Sequence, residues 1–376
     1  MQLHAPMRSP TGIAEIFRRR AILVCATCVL FAGQLSSQTS EDVRRLIAEG
    51  EKYYLAEEFH KALQAFSNAL MTLQTTDASQ QELALVLNNL GEVHRQLNNP
   101  REAEMLYRQS LRVYARIGGA ELGVSTVLNN LGRLLRTQGK RKEAESMYKA
   151  ALTKAKISPG RNSLHYAHLL DQFGQLYYEE NKIRTAERLF NESHSIRIRL
   201  LGPHHPEMFW GLNSLGAILH LRRKYAKAEL LFSQALALVV LANGQDDLST
   251  SVVLRNLGVL YRDWRRLPEA EVAFRRALVI RQAKLPADHP DLATSLLNLG
   301  DVLHLKSEHT EAEKLIRQSV DIRRNASDLN LLAQSLELHS KVLVSLEKSL
   351  EAAQAANEAR RIRAQLRFAF HVGAPR

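Results

Sequence analysis

Side-chain amides recur in this sequence at a fixed place, two or three residues before a glycine. Asn88 and Asn89 precede Gly91, Asn129 and Asn130 precede Gly132, Asn213 precedes Gly216, Asn256 precedes Gly258 and Asn298 precedes Gly300. An amide offers donors and an acceptor together, so a row of them can hold the main chain of an extended peptide without reading its sequence. The same groups can bond one another instead and fix how neighbouring elements stack. Both readings stand at this level. Four residues after the glycines come Arg95, Arg136 and Arg262, with His220 and His304 at the same place. The guanidinium fork suits carboxylates, which sets the expectation of an acidic partner segment. The alternative is a solvated helix face, with Glu92, Glu179, Asp263 and Asp301 close enough in sequence to neutralise it. Trp210, six residues before Gly216, is a candidate anchor for a partner, and core packing at a hairpin junction explains it as well.

Catalytic patterns do not emerge. There is no glycine-rich phosphate loop and no Ser, His and Asp arrangement with a recognisable local motif. His204-His205, and the pair His165 and His168, supply too few ligands for zinc. The only cysteines, Cys25 and Cys28, sit together in an apolar run near the N-terminus. The expectation is a binding protein and not an enzyme, with no catalytic residue, no metal, no cofactor and no small-molecule substrate.

The elements that must position the amides follow from the spacing of the glycines. Gly91, Gly132, Gly174, Gly216, Gly258 and Gly300 are 41 or 42 residues apart. Twelve residues after each stands an alanine, from Ala103 to Ala312. Sixteen after stands a large side chain: Tyr107, Tyr148, Phe190, Phe232, Phe274, Ile316. Nineteen after stands a small one, from Ser110 to Ser319. Gly50 (with Ala62, Phe66 and Ala69) and Ser340 (with Ala352, Ala356 and Ala359) lead two weaker copies, which makes eight. Small residues recur where two helices cross closely, and the ring is expected to fill the gap toward the next hairpin. A hairpin with two apolar faces cannot bury them alone, so the copies must stack, with a concave groove lined by the first helix of each. The composition agrees: 45% hydrophobic, 24% charged, only 10 prolines and 18 glycines favour helix. Pro159-Gly160, Gly202-Pro203 and Pro286 punctuate the junctions between copies, and Pro100 and Pro268 open second helices. Asp288 and Asp291, flanking Pro290, are expected to cap a first helix.

The offsets resemble the tetratricopeptide repeat, whose usual length is about 34 residues. The longer copies here are similar to the repeats of kinesin light chains and of bacterial proteins that share them. Leu201-Gly202-Pro203-His204-His205-Pro206, Ala287-Asp288-His289-Pro290-Asp291, Leu87-Asn88-Asn89-Leu90-Gly91, Leu128-Asn129-Asn130-Leu131-Gly132 and the Glu-Ala-Glu triplets 102–104 and 143–145 carry the likeness. The resemblance spans residues of about 45–365. It implies an all-α fold, a right-handed α-solenoid of about eight antiparallel helix-turn-helix repeats over residues 38–368, with a short tail at 369–376. It also implies that the amides and the residues four after each glycine face the groove, and that the asparagines contact peptide backbone. No motor role is implied, since the coiled-coil region that contacts the motor has no counterpart.

The N-terminal order is basic (Arg18, Arg19, Arg20), apolar (21–33), then small and polar (34–40). That is the order of a cleaved secretory signal over residues 1–37, and the apolar run is short for a membrane span. Export is expected, with anchoring by residues 21–33 as the alternative. The net charge of +12 becomes +9 without residues 1–37. Basic charge spread along helices favours acidic proteins or peptides as partners over nucleic acid, with the membrane met only through the N-terminal segment. The competing reading is an intracellular regulatory or nucleic-acid-associated repeat protein.

Overall fold

Six of the repeat glycines sit under a ring, and the seventh, Gly300, sits under Ile316. In the computed structural model, which describes residues 38–75, 79–326 and 329–372, a Cβ on Gly91 would lie 2.7 Å from Cε1 of Tyr107, and one on Gly258 2.6 Å from Cε1 of Phe274. Contacts that short are forbidden, so only glycine lets the ring lie flat on the first helix. The ring does two jobs at once. Phe66 also shares a core cluster with Leu87 and Leu90, and Phe274 with Leu296 and Leu299, all on the following hairpin. The small residue nineteen after the glycine marks the second crossing point. Ser110 Oγ donates to Ala84 O at 2.6 Å and Ser319 Oγ to Ala293 O at 2.8 Å, so helix backbones meet there closely enough for a hydroxyl to bridge them.

The described residues form sixteen α-helices and no strand. They pair in sequence. α1 (Gln38–Leu55) lies against α2 (Phe59–Thr75), α3 (Gln80–Gln96) against α4 (Pro100–Ile117), α5 (Glu121–Thr137) against α6 (Arg141–Ile157), and α7 (Leu164–Glu179) against α8 (Ile183–Leu201). These make one compact unit, ending at His204. The other begins at His205 and pairs α9 (Met208–Leu221) with α10 (Tyr225–Asn243), α11 (Leu248–Asp263) with α12 (Leu267–Lys284), α13 (Pro290–Leu305) with α14 (His309–Asn325), and α15 (Leu329–Ser345) with α16 (Ser349–Val372). The N-terminal segment 1–37 and residues 373–376 lie outside the described residues.

First and second helices are buried differently, and the sequence shows why. On α4 the buried residues are Ala103, Leu106, Tyr107, Ser110 and Tyr114, one face of a helix. On α5 every residue from Ser125 to Leu135 is buried, because a first helix is packed by its own partner and by the hairpins on both sides. α10 is long and apolar enough to cross a membrane, yet it serves as a second helix with Ala228, Phe232, Ala235 and Val239 buried.

The eight turns inside the hairpins share one geometry. Counting the repeat glycine (Ser340 in the last copy) as position 0, the residue at +7 is always left-handed: Glu57, Asn98, Gly139, Asn181, Arg223, Arg265, Ser307 and Glu347 have φ between 56° and 76°. The N–H at +8 reaches the carbonyl at +3, as in Asn99 to His94 (2.9 Å) and Lys348 to Leu343 (2.9 Å), and the N–H at +7 reaches +4. This is the Schellman closure of a helix, and it places all eight copies, the two weak ones included, in one register.

One feature differs from the sequence-based expectation and a second lies outside it. The first turn of α13 is capped by neither Asp288 nor Asp291: His289 Nδ1 accepts the N–H of Asp291 at 3.1 Å. His205 Nδ1 accepts from the N–H of Glu207 at 3.2 Å in the same way, in the turn just ahead of α9, whose own N-cap Glu207 makes no side-chain cap bond. The second is a set of arginines at +23. Arg281 on α12 donates to Ser251 Oγ on α11 (3.1 Å) and to Ser295 Oγ (2.9 Å) and Asp291 O (3.0 Å) on α13. Arg323 likewise joins Thr294 on α13 to Leu331 O and Ser335 on α15. These buried arginines staple one hairpin to the next.

Candidate functional site

Within each unit, first helices of successive hairpins lie against one another. The amides join these helices and follow one pairing rule: the Asn at −3 accepts from the Asn at −2 of the next copy. Asn130 Nδ2 donates to Asn88 Oδ1 at 3.0 Å between α5 and α3, and Asn256 Nδ2 donates to Asn213 Oδ1 at 2.8 Å between α11 and α9. Asn88 Nδ2 in turn reaches Asn89 Oδ1 at 3.2 Å. Asn298, on α13, has Arg255 and no asparagine at −3 of the copy before it, and is half-buried.

The rule also says where the rungs stop. Asn89, at −2, would need an acceptor at −3 of the first copy, where Ile47 stands. Asn129, at −3, would need a donor at −2 of the fourth copy, where Gln172 stands instead of Asn. Asn89 Nδ2 and Asn129 Oδ1 are accordingly buried without a partner. One is a donor and the other an acceptor, on consecutive first helices α3 and α5, in residues 2% and 3% exposed.

The next rung, at +1, is ionic. Glu92 on α3 accepts from Arg133 Nη2 on α5 at 2.6 Å and from Arg95 Nε at 3.1 Å. It also accepts from Tyr107, whose ring covers Gly91, and from Tyr54 Oη at 3.3 Å. Burial opposes ionisation of Glu92, but Arg133 and Arg95 outweigh it and hold the carboxyl well below the usual range.

The arginines at +4 are all engaged by carboxylates. Arg95 holds Glu92, and Arg136 on α5 holds Glu179 on α7. In the other unit Arg262 spans Asp263 (2.9 Å) and Asp301 (3.0 Å), and Asp263 also meets His220 Nε2 at 2.9 Å, a chain that crosses α9, α11 and α13. Trp210 is 8% exposed with its ring 4.3 Å from that of Phe209. His165 Nε2 meets Ser125 Oγ at 2.6 Å, and burial pushes its pKa down to about 4. Among the described residues no group of three or more His, Cys, Asp or Glu could hold a metal ion. The site residues named from sequence therefore separate into a bonded rung (Asn88–Asn130, Asn213–Asn256), paired cations (Arg95, Arg136, Arg262), a buried ring (Trp210), and the two atoms on Asn89 and Asn129 that the fold leaves unmet. Sequence reasoning missed Arg133 as the partner of Glu92 and the arginines at +23; recurrence at one offset, through Arg197, Arg281, Arg323 and Arg363, was the available signal.

Residues 49–116, 82–157, 123–199, 166–239, 207–283, 249–325 and 291–365 match the tetratricopeptide repeat in overlapping windows of two hairpins each. The chain belongs to the tetratricopeptide repeat family. Solved tetratricopeptide-like structures share the fold at low identity. The apo form of RapI is 13% identical, with 75% of this chain and 98% of that one covered and a TM-score of 0.60. A Rap protein complexed with competence and sporulation factor is 14% identical, with 87% and 99% covered and a TM-score of 0.59. A tetratricopeptide repeat protein from Parabacteroides merdae is 14% identical, with 80% and 99% covered and a TM-score of 0.54. No curated protein matches the chain. A tetratricopeptide repeat array of this kind is a protein–protein interaction scaffold.

Proposed function

We propose that this chain binds an extended segment of another protein along the inner face of α3, α5 and α7, and that the segment is held by its main chain. The observation that carries this reading is the pair of unmet atoms. A buried donor or acceptor without a partner costs about 1–3 kcal/mol, and Asn89 Nδ2 and Asn129 Oδ1 stand on adjacent helices with opposite polarity. One peptide group presents a carbonyl and an N–H, which complements that pair. The role of the partner's charge is secondary in this reading, because Arg95, Arg136 and Arg262 already hold carboxylates. An acidic segment would have to displace those carboxylates. The Rap protein that shares the fold was solved with competence and sporulation factor bound, which is compatible with a ligand-binding role for such an array. Binding, and not catalysis, is the activity proposed. Export is proposed with it, on the basic, apolar and small order of residues 18–40.

The test is a selection of random twelve-residue peptides displayed on phage against the full chain, as the expressing cell processes it. Asn89→Ala/Asn129→Ala serves as the comparison and is checked for a native circular dichroism spectrum and melting temperature. Peptides that bind the wild type and lose binding to the folded variant support the reading. Selected peptides that bind both alike refute it.

A further inference from the structure

The rung logic that explains Glu92 leaves a second carboxylate exposed to a different fate. Glu51 occupies +1 of the first copy, the place that Glu92 occupies in the second. Glu92 has two cationic partners: Arg95, at +4 of its own helix, and Arg133, at +1 of the next first helix. At the two matching places around Glu51 stand Tyr54 and Glu92. Tyr54 Oη is turned to Glu92 and accepts from Gln96 Nε2 at 2.8 Å, and Glu92 carries charge of the same sign. Glu51 Oε1 is thus buried with no hydrogen-bond partner. Burial pushes its carboxyl up to about 7, so near neutral pH the site lies at the edge of holding a charge with nothing to balance it.

A buried carboxylate with an unmet oxygen recruits a cation when one is supplied, because the new charge-assisted bond also restores ionisation. Neither of the two register positions that supply arginine to Glu92 carries a cation beside Glu51. We infer that Glu51 receives a lysine or arginine side chain of the bound segment, which extends from α3, α5 and α7 to α1, and so fixes which way that segment runs. This rests on the proposed main-chain binding, and it adds direction and a side-chain preference that the amides by themselves do not give. Main-chain bonds to amides tolerate either chain direction; one ionic anchor at the α1 end does not. The preference is for a basic residue at one end of the segment, opposite to the acidic partner expected from Arg95, Arg136 and Arg262.

The experiment uses the same phage-displayed random twelve-residue peptides, selected in parallel on the full chain and on Glu51→Gln. Glutamine has the shape of the protonated acid, and a melting temperature at pH 5 within a degree or two of wild type shows the fold is kept. The wild-type pool should gather lysine and arginine at one end, and the Glu51→Gln pool should lose that bias. A selected basic peptide should bind Glu51→Gln at least tenfold more weakly. Its norleucine analogue should bind the wild type equally weakly, with no further loss when both changes are combined. Peptides that depend on Asn89 and Asn129 yet show no basic bias, or a bias unchanged in Glu51→Gln, overturn the role of Glu51 and leave main-chain binding standing. Peptides that do not depend on the amides overturn both.

Discussion

Asn130 donates to Asn88 across 3.0 Å, from one first helix to the one before it. The two residues are 42 apart, one repeat length, and both are buried. Removing the Asn130 amide leaves the Asn88 oxygen buried and unmet, so Asn130→Ala should cost about 1–3 kcal/mol in chemical denaturation. The broken rung predicts the opposite change. Gln172→Asn puts the shorter amide where Asn129 Oδ1 has no partner and should stabilise by about 1 kcal/mol, while weakening any peptide that competes for the same oxygen. No gain in stability from Gln172→Asn would mean that the pairing rule does not extend past the third copy.

Gly258→Ala should destabilise by about 1–3 kcal/mol, because the added methyl falls on the Phe274 ring and the core cannot absorb it without strain. Gly258→Ala/Phe274→Leu should recover part of that loss. The check is a double-mutant cycle by urea denaturation, with a coupling energy well away from zero as the expected outcome.

The left-handed turns predict gains. Arg265 and Ser307 are exposed at φ 64° and 67°, a conformation that is strained for a residue with a Cβ. Arg265→Gly and Ser307→Gly should each stabilise by about 0.5–1 kcal/mol, after allowing for the greater freedom of glycine in the unfolded chain. Gly139→Ala, at the same place with φ 76°, should destabilise by a similar amount.

Two carboxylates on one face should respond to pH with opposite sign. Glu92 is held below its ordinary value of 4.5 by Arg133 and Arg95 against the opposing effect of burial. Its stabilising contribution is present above that value and is lost as pH falls through the folded pKa. Glu51 is raised by burial to about 7, so the fold favours its proton, and stability is lost as pH rises from 4.5 through 7. Glu92→Gln should be far less stable than wild type at pH 7, with the gap narrowing in acid. Glu51→Gln should match wild type at pH 5 and exceed it at pH 8. Denaturation midpoints across pH 3–9 read both.

Much of the fold was legible because helix crossings demand small residues at fixed places: the glycine under Tyr107 or Phe274 and the alanine or serine at +19 are sequence records of two contact points. Even the degenerate copies at Gly50 and Ser340 keep the left-handed +7 residue that closes the hairpin. The site was legible only in part. The recurrence of Asn88, Asn129 and Asn213 at −3 marked a face, but not that each −3 oxygen is aimed at the next copy's −2 amide, since that depends on how far one hairpin steps past another. For Arg95, Arg136 and Arg262 the sequence offered two readings, an acidic partner or neutralisation by Glu92, Glu179, Asp263 and Asp301, and the ion pairs match the second. His289 was passed over as a cap because aspartate is the commoner acceptor, and Arg281 and Arg323, at +23, were not singled out because their hydroxyl partners lie on other helices, up to 30 residues away.

The most direct measurement is isothermal titration of one selected twelve-residue peptide into the full chain and into Asn89→Ala/Asn129→Ala, with the melting temperature of the variant as its folding control. The account predicts at least a tenfold loss of affinity, about 1.4 kcal/mol, in a variant that melts near the wild type. Equal affinity for both proteins would contradict it and would leave the inner amides with a stacking role alone.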